Sequence, residues 1–351
     1  MHLTTADTLA RFALTRREVD EIEGLLSRLM SRHDRADNPG FLAAAALHAQ
    51  ELPLRLRSTL GAMRTRETNA ACVVSGLPVN DAAIGPTPRH WARQPDRGST
   101  LREELWLVLV ASLLGEIFGW ATQQNGAVVH DISPSPGHEH TQLGSGSSET
   151  LAWHTEEAFH PLRCDYLALL GLRNHDLIPT TFASIGDVTL DSEVRDVLFQ
   201  PRFRIRPDDS HLAAEDRTAE IPPGREGTLL LAARDRVDQM NSSPQRVAVL
   251  SGDPVAPYLA IDPYYMDVPG DDPPARAALD AICRAIDRRL REIVLRPGDI
   301  VLIDNFRAVH GRASFRARYD GTDRWFKRVN ITRDLRKSRA HRLACDSRVV
   351  Y

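Results

Sequence analysis

From about residue 127 the chain breaks into short β-rich runs, "AVVHDIS", "DYLALLGLRN", "RVAVL", "YLAID", "DIVLIDN" and "RWFKRVNIT", separated by Gly, Pro and Asp. This change of texture constrains the fold most. Many short strands with turn residues between them predict a β-sandwich or jelly-roll core, and the helices elsewhere must pack outside it. The expected class is mainly β with flanking helices (α+β). The expected organisation is one domain over 1–351, with helical support in 1–125 and a jelly-roll core in 126–335. With 351 residues and 42% hydrophobic side chains, the chain can bury a core of that size.

The first third has helical periodicity. In "LTRREVDEIEGLLSRLM", Thr15 and Glu18 have capping-box spacing, and Val19, Ile22, Leu25, Leu26 and Leu29 form one apolar stripe. "GFLAAAALHAQELPLRLRSTLGAM" predicts a helix broken at Pro53. "ACVVSGLPV" predicts a strand, and "STLREELWLVLVASLLGEIFGW" a long buried helix. A further helix is expected over "PPARAALDAICRAIDRRLREIV". The polar stretch 208–247 shows little periodicity and is expected to be a lid.

A net charge of −3 excludes a nucleic-acid footprint and a polybasic membrane patch. "RKSRAHR" (336–342) is expected to be a solvated terminal segment. Four cysteines without short spacing predict free thiols. The N-terminus lacks a signal pattern, and the most apolar run is too short to cross a bilayer, so a cytoplasmic, soluble protein is expected.

"WHTEEAFHP" (153–161) raises the chemical question. If it ends a strand, His154 and Glu156 project to one side, about 6–7 Å apart at the backbone. His310 in "DIVLIDNFRAVHGR" is the best third ligand. Two histidines and a carboxylate on one face of a cation leave open positions, the arrangement of non-haem Fe(II) oxygenases. An HxE pair alone is common on surfaces. The ordered set weighs more: HxE, then "IDNxxxxHGR", then Arg324 and Arg328 in "RYDGTDRWFKRVNIT". These arginines are four apart on a predicted strand and share a face. An arginine there can grip a carboxylate with its fork of donors.

These motifs, with "WHTEEAFHPLRCDYLALLGLRN", "RPDDSH", "GWATQQNG" and "DSRV", resemble the clavaminate-synthase-like Fe(II)/2-oxoglutarate oxygenases, in the branch of the arginine and asparagine β-hydroxylases. The resemblance implies a double-stranded β-helix. It implies Fe(II), with 2-oxoglutarate and O2 as cosubstrates, and hydroxylation at C3 of a free amino acid. It assigns iron to His154, Glu156 and His310. Arg324 would take the distal carboxylate of 2-oxoglutarate, and Arg328 the α-carboxylate of the substrate. Gln123 and Glu156 would meet its α-amino group. Asp208 and Ser210 would contact substrate from the lid.

One departure bears on the substrate. Arginine hydroxylases of this branch carry two aspartates, two apart, for the guanidinium. Here "LAIDPYYMD" supplies Asp262 and then Tyr264. The tyrosine ring could lie against a flat cation, favouring a cyclised arginine such as enduracididine. Otherwise Tyr264 points elsewhere, and Asp267 or Asp209 brings the second charge. Citrulline, lysine or asparagine as substrate, attack at C4, and desaturation stay open. Halogenation is disfavoured by Glu156. A non-oxidative cupin-type metal protein would give the arginine after His310 no task. His138, His140, His160 and His211 are expected to be structural or at the surface. Oligomeric state is left open.

Overall fold

The computed structural model describes residues 8–93, 97–212 and 221–351. The helix Arg16–Met30 starts at the expected capping box. The Glu18 N–H donates to the Thr15 hydroxyl, and the Thr15 N–H to the Glu18 carboxylate. Ile22, Leu25, Leu26 and Leu29 are buried. The next helical stretch breaks as expected. Pro39–His48 and Leu54–Arg66 are separate helices, and Pro53 caps the second.

Two sheets carry the site. The larger runs in the order Leu9–Ala13, Ala71–Ser75, Ile300–Asp304, Tyr166–Arg173, Trp325–Thr332, Glu116–Trp120 and Val349–Val350, with His130–Ile132 also paired to Trp325–Thr332. The smaller runs Arg291–Ile293, Thr180–Ser184, Ala308–Arg312, Leu151–His154. They face each other across one buried cluster, with Leu167, Leu169, Val301, Ile303 and Phe326 from the larger sheet and Phe182, Ile293 and Ala308 from the smaller. On the larger sheet's other side, Leu105–Ala111 and the N-terminal helices pack on Leu170, Leu302 and Ile331. Tyr166–Arg173 is buried along its whole length, which explains its unbroken apolar run.

Four expectations need correction. The long apolar run is not one helix: Leu101–Ala111 is helical, and Glu116–Trp120 is a strand paired with Trp325–Thr332. An apolar run buried on both sides reads alike in either state. Gly115 sits at the switch, where a Cβ would lie 2.3 Å from the Thr332 carbonyl oxygen. Within 273–294 the helix is Pro273–Asp287, and Arg291–Ile293 is a strand. The stretch 208–247 is not irregular throughout, since Arg225–Ser242 is a helix burying Leu230, Ala233 and Val237. Residues 213–220 of that stretch lie outside the described residues. Finally, "RKSRAHR" is not simply solvated. It lies in the 3-10 turn Leu335–His341 and its end, where Arg342 is buried and donates to the carbonyls of Ala344, Cys345 and Ser347. The four cysteines are free thiols. Among the described residues no helix is long and apolar enough to cross a membrane.

Candidate active site

The smaller sheet places the two histidines. His310 and His154 stand directly opposite each other on antiparallel strands, with ring centroids 4.7 Å apart. Gly311 permits the close strand packing, because a Cβ there would lie 2.6 Å from the Leu151 carbonyl oxygen. Glu156 follows the end of its strand. Its Oε2 lies 3.4 Å from His310 Nε2 and 3.8 Å from His154 Nε2. The ligand atoms of the three side chains all lie within 4.8 Å of one another.

This set fits a cation. His154 donates Nδ1–H to the Ala152 carbonyl at 2.8 Å, which leaves the Nε2 lone pair facing Glu156 and His310. Burial opposes a charge on His154, but the carboxylates of Glu156 and Asp262 outweigh it and push the imidazole up to about 9. Burial opposes ionisation of Glu156 too; Arg328 and the histidines outweigh it and hold the carboxyl well below its ordinary range. Burial, above all, pulls the His310 imidazole the other way, below its ordinary value.

The wall of the cavity comes from the strand Trp325–Thr332. Arg324, Phe326 and Arg328, at alternate positions, all line the cavity with His154, Glu156 and His310. Sharing a face is what their spacing predicts. Arg324 is buried; its guanidinium lies 3.7 Å from the Phe326 ring centre and 3.4 Å from Thr180 Oγ1. No carboxylate pairs with it among the described residues, and its Nε has no partner there. Arg312, also buried, lines the same cavity; it donates to the carbonyls of Ser147, Glu149 and Ala313, each at 3.3 Å, and lies over the Phe315 ring. Burial, then the Arg312 charge, pulls Arg324 down to about 9, and burial pulls Arg312 down to about 10. Two buried cations without an acid suit a dicarboxylate.

Arg328 is enclosed on three sides. It donates to Glu156 Oε1, to Gln123 Oε1 at 3.2 Å and to His130 Nδ1 at 2.8 Å. His130 stands directly opposite Arg328 on the paired strand and gives its Nε2–H to the Ala127 carbonyl at 2.9 Å. Burial, then the Arg328 charge, pulls His130 down to about 3, so it is a neutral acceptor. Gln123 continues the chain: its Nε2 donates to Ser210 Oγ at 2.6 Å, and Ser210 is bonded to Asp208. Alongside, Thr122 and His211 share a hydrogen bond at 2.7 Å.

Asp262 is buried in the cavity wall and accepts from the Tyr264 N–H at 3.2 Å. Burial above all, with Asp208 adding, pushes its carboxyl up to about 6. Tyr264 lines the mouth; it is 62% exposed and packs edge-on against Tyr265. Asp267 is not in the cavity wall, lying 3.7 Å from Arg206, and Asp209 is exposed. Besides Glu156 and Asp262, Asp208 also lines the cavity. Sequence reasoning missed His130, Thr180 and Arg312. Arg312 alone left a local signal, two residues after His310.

The sequence profile of the Taurine catabolism dioxygenase TauD, TfdA family matches residues 232–330. Enduracididine beta-hydroxylase of Streptomyces hygroscopicus is 49% identical over 335 residues, covering 95% of this chain and 97% of that protein. L-ornithine/L-arginine 3-hydroxylase of Catenulispora acidiphila is 43% identical over 342 residues, covering 97% and 99%. The crystal structure of the non-heme iron oxygenase OrfP with Fe, succinate and (3S)-hydroxy-L-Arg superposes with a TM-score of 0.88 at 41% identity, covering 97% of this chain and 99% of that one. A paired-histidine and carboxylate cluster, two buried arginines without an acid, and relatives that match nearly end to end agree: the chain belongs to the TauD/TfdA family of non-haem Fe(II)/2-oxoglutarate-dependent dioxygenases, in its clavaminate-synthase-like branch of amino-acid hydroxylases.

Proposed function

We propose that this enzyme hydroxylates C3 of a free L-amino acid with a guanidino side chain, arginine or a cyclised arginine such as enduracididine. The two sheets are then the halves of a double-stranded β-helix in a single catalytic domain, with 208–247 as its lid. The observation that carries the reading is the composition of one cavity: a cation-seeking cluster, a cationic wall and a separate acid. The names and near-complete coverage of the relatives support it.

In this reading His154, Glu156 and His310 hold Fe(II), and Arg324 with Thr180 receives the distal carboxylate of 2-oxoglutarate. Iron, when bound, supplies oxidative decarboxylation of 2-oxoglutarate coupled to insertion of an O2-derived oxygen into a C–H bond. The protein's share is positioning. Arg328 receives the substrate α-carboxylate, and Gln123 and Glu156 face its α-amine. With both groups fixed beside the proposed metal ligands, C3 is the carbon this reading presents for attack. Asp262 and Asp208 offer negative charge to a cationic side chain, and Tyr264 offers a ring face at the mouth. The bond from Gln123 to Ser210 ties the start of the lid to the groups that meet substrate, so closure and substrate binding share atoms.

The test is a screen of purified protein with Fe(II), 2-oxoglutarate and ascorbate against arginine, enduracididine, citrulline, homoarginine, lysine, asparagine and ornithine. Gain of one oxygen atom on arginine or enduracididine, matched by succinate, is expected. Succinate without any oxidised amino acid would overturn the substrate. No succinate at all would overturn the site roles.

A further inference from the structure

We infer that Asn305 is a positioning residue for the metal centre, holding the backbone of Glu156 where its carboxylate meets the two histidines. The inference rests on His154, Glu156 and His310 forming that centre. Glu156 lies beyond the strand that carries His154, which ends at that residue. The next residue, Glu157, has φ +53°. The backbone is leaving the sheet there, and no ladder fixes it.

The side chain of Asn305 replaces the ladder. Its Oδ1 accepts from the Glu156 N–H at 2.7 Å, and its Nδ2 donates to the Glu156 carbonyl at 2.9 Å and to the Cys164 carbonyl at 3.0 Å. One amide thus makes the two-bond exchange that a partner strand would make. Asn305 is fully buried, and its own N–H donates to the Asp165 carbonyl at 3.0 Å. On the preceding residue, the Thr155 N–H donates to the Ile261 carbonyl at 2.9 Å, and the Ile261 N–H donates to Thr155 Oγ1 at 3.0 Å. The ligand segment is pinned from both sides.

The placement of Asn305 gives the clamp its meaning. It sits in the turn between Ile300–Asp304 and Ala308–Arg312, five residues before His310. The segment 300–312, which crosses from the larger sheet to the smaller, therefore carries His310, pairs it with His154 across the strands, and holds Glu156 through Asn305. All three ligands are referenced to that segment, whose first strand is buried throughout between Ala71–Ser75 and Tyr166–Arg173. Only an amide offers donor and acceptor at these positions; aspartate would set oxygens against two carbonyls.

The test is Co(II) binding to metal-stripped, full-length protein, followed by calorimetry and by the Co(II) d–d absorption. The variants are Asn305→Ala, Asn305→Asp, His310→Ala and Asn174→Ala. Asn174 is the control: an equally buried asparagine with three similar backbone bonds, to Ile178 and Leu295, away from the site. Wild type is expected to bind one Co(II), and His310→Ala to lose it. Both Asn305 variants are expected to bind about 10- to 100-fold more weakly with an altered d–d spectrum. Asn174→Ala should lower the melting temperature and leave Co(II) affinity within about twofold. Asn305→Ala or Asn305→Asp, folded by circular dichroism and binding Co(II) like wild type, would overturn the inference. So would Asn174→Ala weakening Co(II) as much. Wild type without Co(II) binding would instead overturn the metal centre itself.

Discussion

Arg328 and His310 meet the two oxygens of one buried carboxylate, that of Glu156: Arg328 donates to Oε1, while Oε2 lies 3.4 Å from His310 Nε2. The side chain proposed to receive the substrate's α-carboxylate is therefore bonded to a proposed iron ligand. Replacing Arg328 with Gln should weaken amino-acid binding by about 30-fold or more, from the roughly 2 kcal/mol or more lost when one partner of a buried charge pair is truncated. The KM for 2-oxoglutarate should hardly change. Steady-state kinetics with each substrate varied in turn checks this; an unchanged amino-acid KM would remove Arg328 from the substrate site.

Arg324 makes the opposite prediction. It is buried and has no acid partner among the described residues, so a charge-assisted contact to an incoming carboxylate is its main satisfaction. Arg324→Met should raise the KM for 2-oxoglutarate about 10- to 150-fold, from roughly 1.5–3 kcal/mol per hydrogen bond to a charged group. The amino-acid KM should stay near the wild-type value. Titration with N-oxalylglycine gives the same comparison without turnover.

Asp262 and Tyr264 both line the cavity and are proposed to meet the substrate side chain. The carboxyl of Asp262 is pushed up to about 6, chiefly by burial. It is ionised above that pH and neutral below it. Affinity for a guanidinium should therefore fall as pH drops through about 6, and Asp262→Asn should be weak and flat across the same range. Tyr264→Asp restores a second acid at an exposed position. There a pair is worth at most about 1 kcal/mol, so arginine should gain up to about fivefold over the cyclic analogue. Competition between the two substrates, followed by mass spectrometry from pH 5 to 8, reads both effects.

Lys327 tests the scaffold. On the same strand as Arg328 but facing away from the cavity, it is buried and lies 2.8 Å from Glu104 and 2.7 Å from Asp131. Lys327→Met would leave two carboxylates facing each other without a cation. A loss of about 3–5 kcal/mol in unfolding free energy is expected, measured by urea denaturation. A loss below about 1 kcal/mol would show that the trio contributes little.

Much of the candidate site was legible along the chain. The spacing of His154 and Glu156, the strand and turn before His310, and the alternation of Arg324 and Arg328 are local patterns that report which way side chains point. The Thr15 capping box and the break at Pro53 are local for the same reason: their energetics are settled within one helical turn. The sequence by itself determined the types and order of the residues in the candidate metal centre, and the α+β texture.

What only the tertiary structure decided depends on pairing between distant segments. His130 meets Arg328 because two strands nearly two hundred residues apart pair in one register. A shift of one residue would turn His130 to the other face. Asn305 meets Glu156 across 149 residues. Glu116–Trp120 is a strand because an open edge of Trp325–Thr332 accepts it, although its composition suits a buried helix equally well. The acid that joins Asp262 and Glu156 in the cavity wall is Asp208, brought in by the segment bonded to Gln123 rather than by neighbours of Asp262. Local sequence records period and propensity, whereas register and close approach are set by burying both sheets against one core, and that balance is visible only when the whole chain is folded.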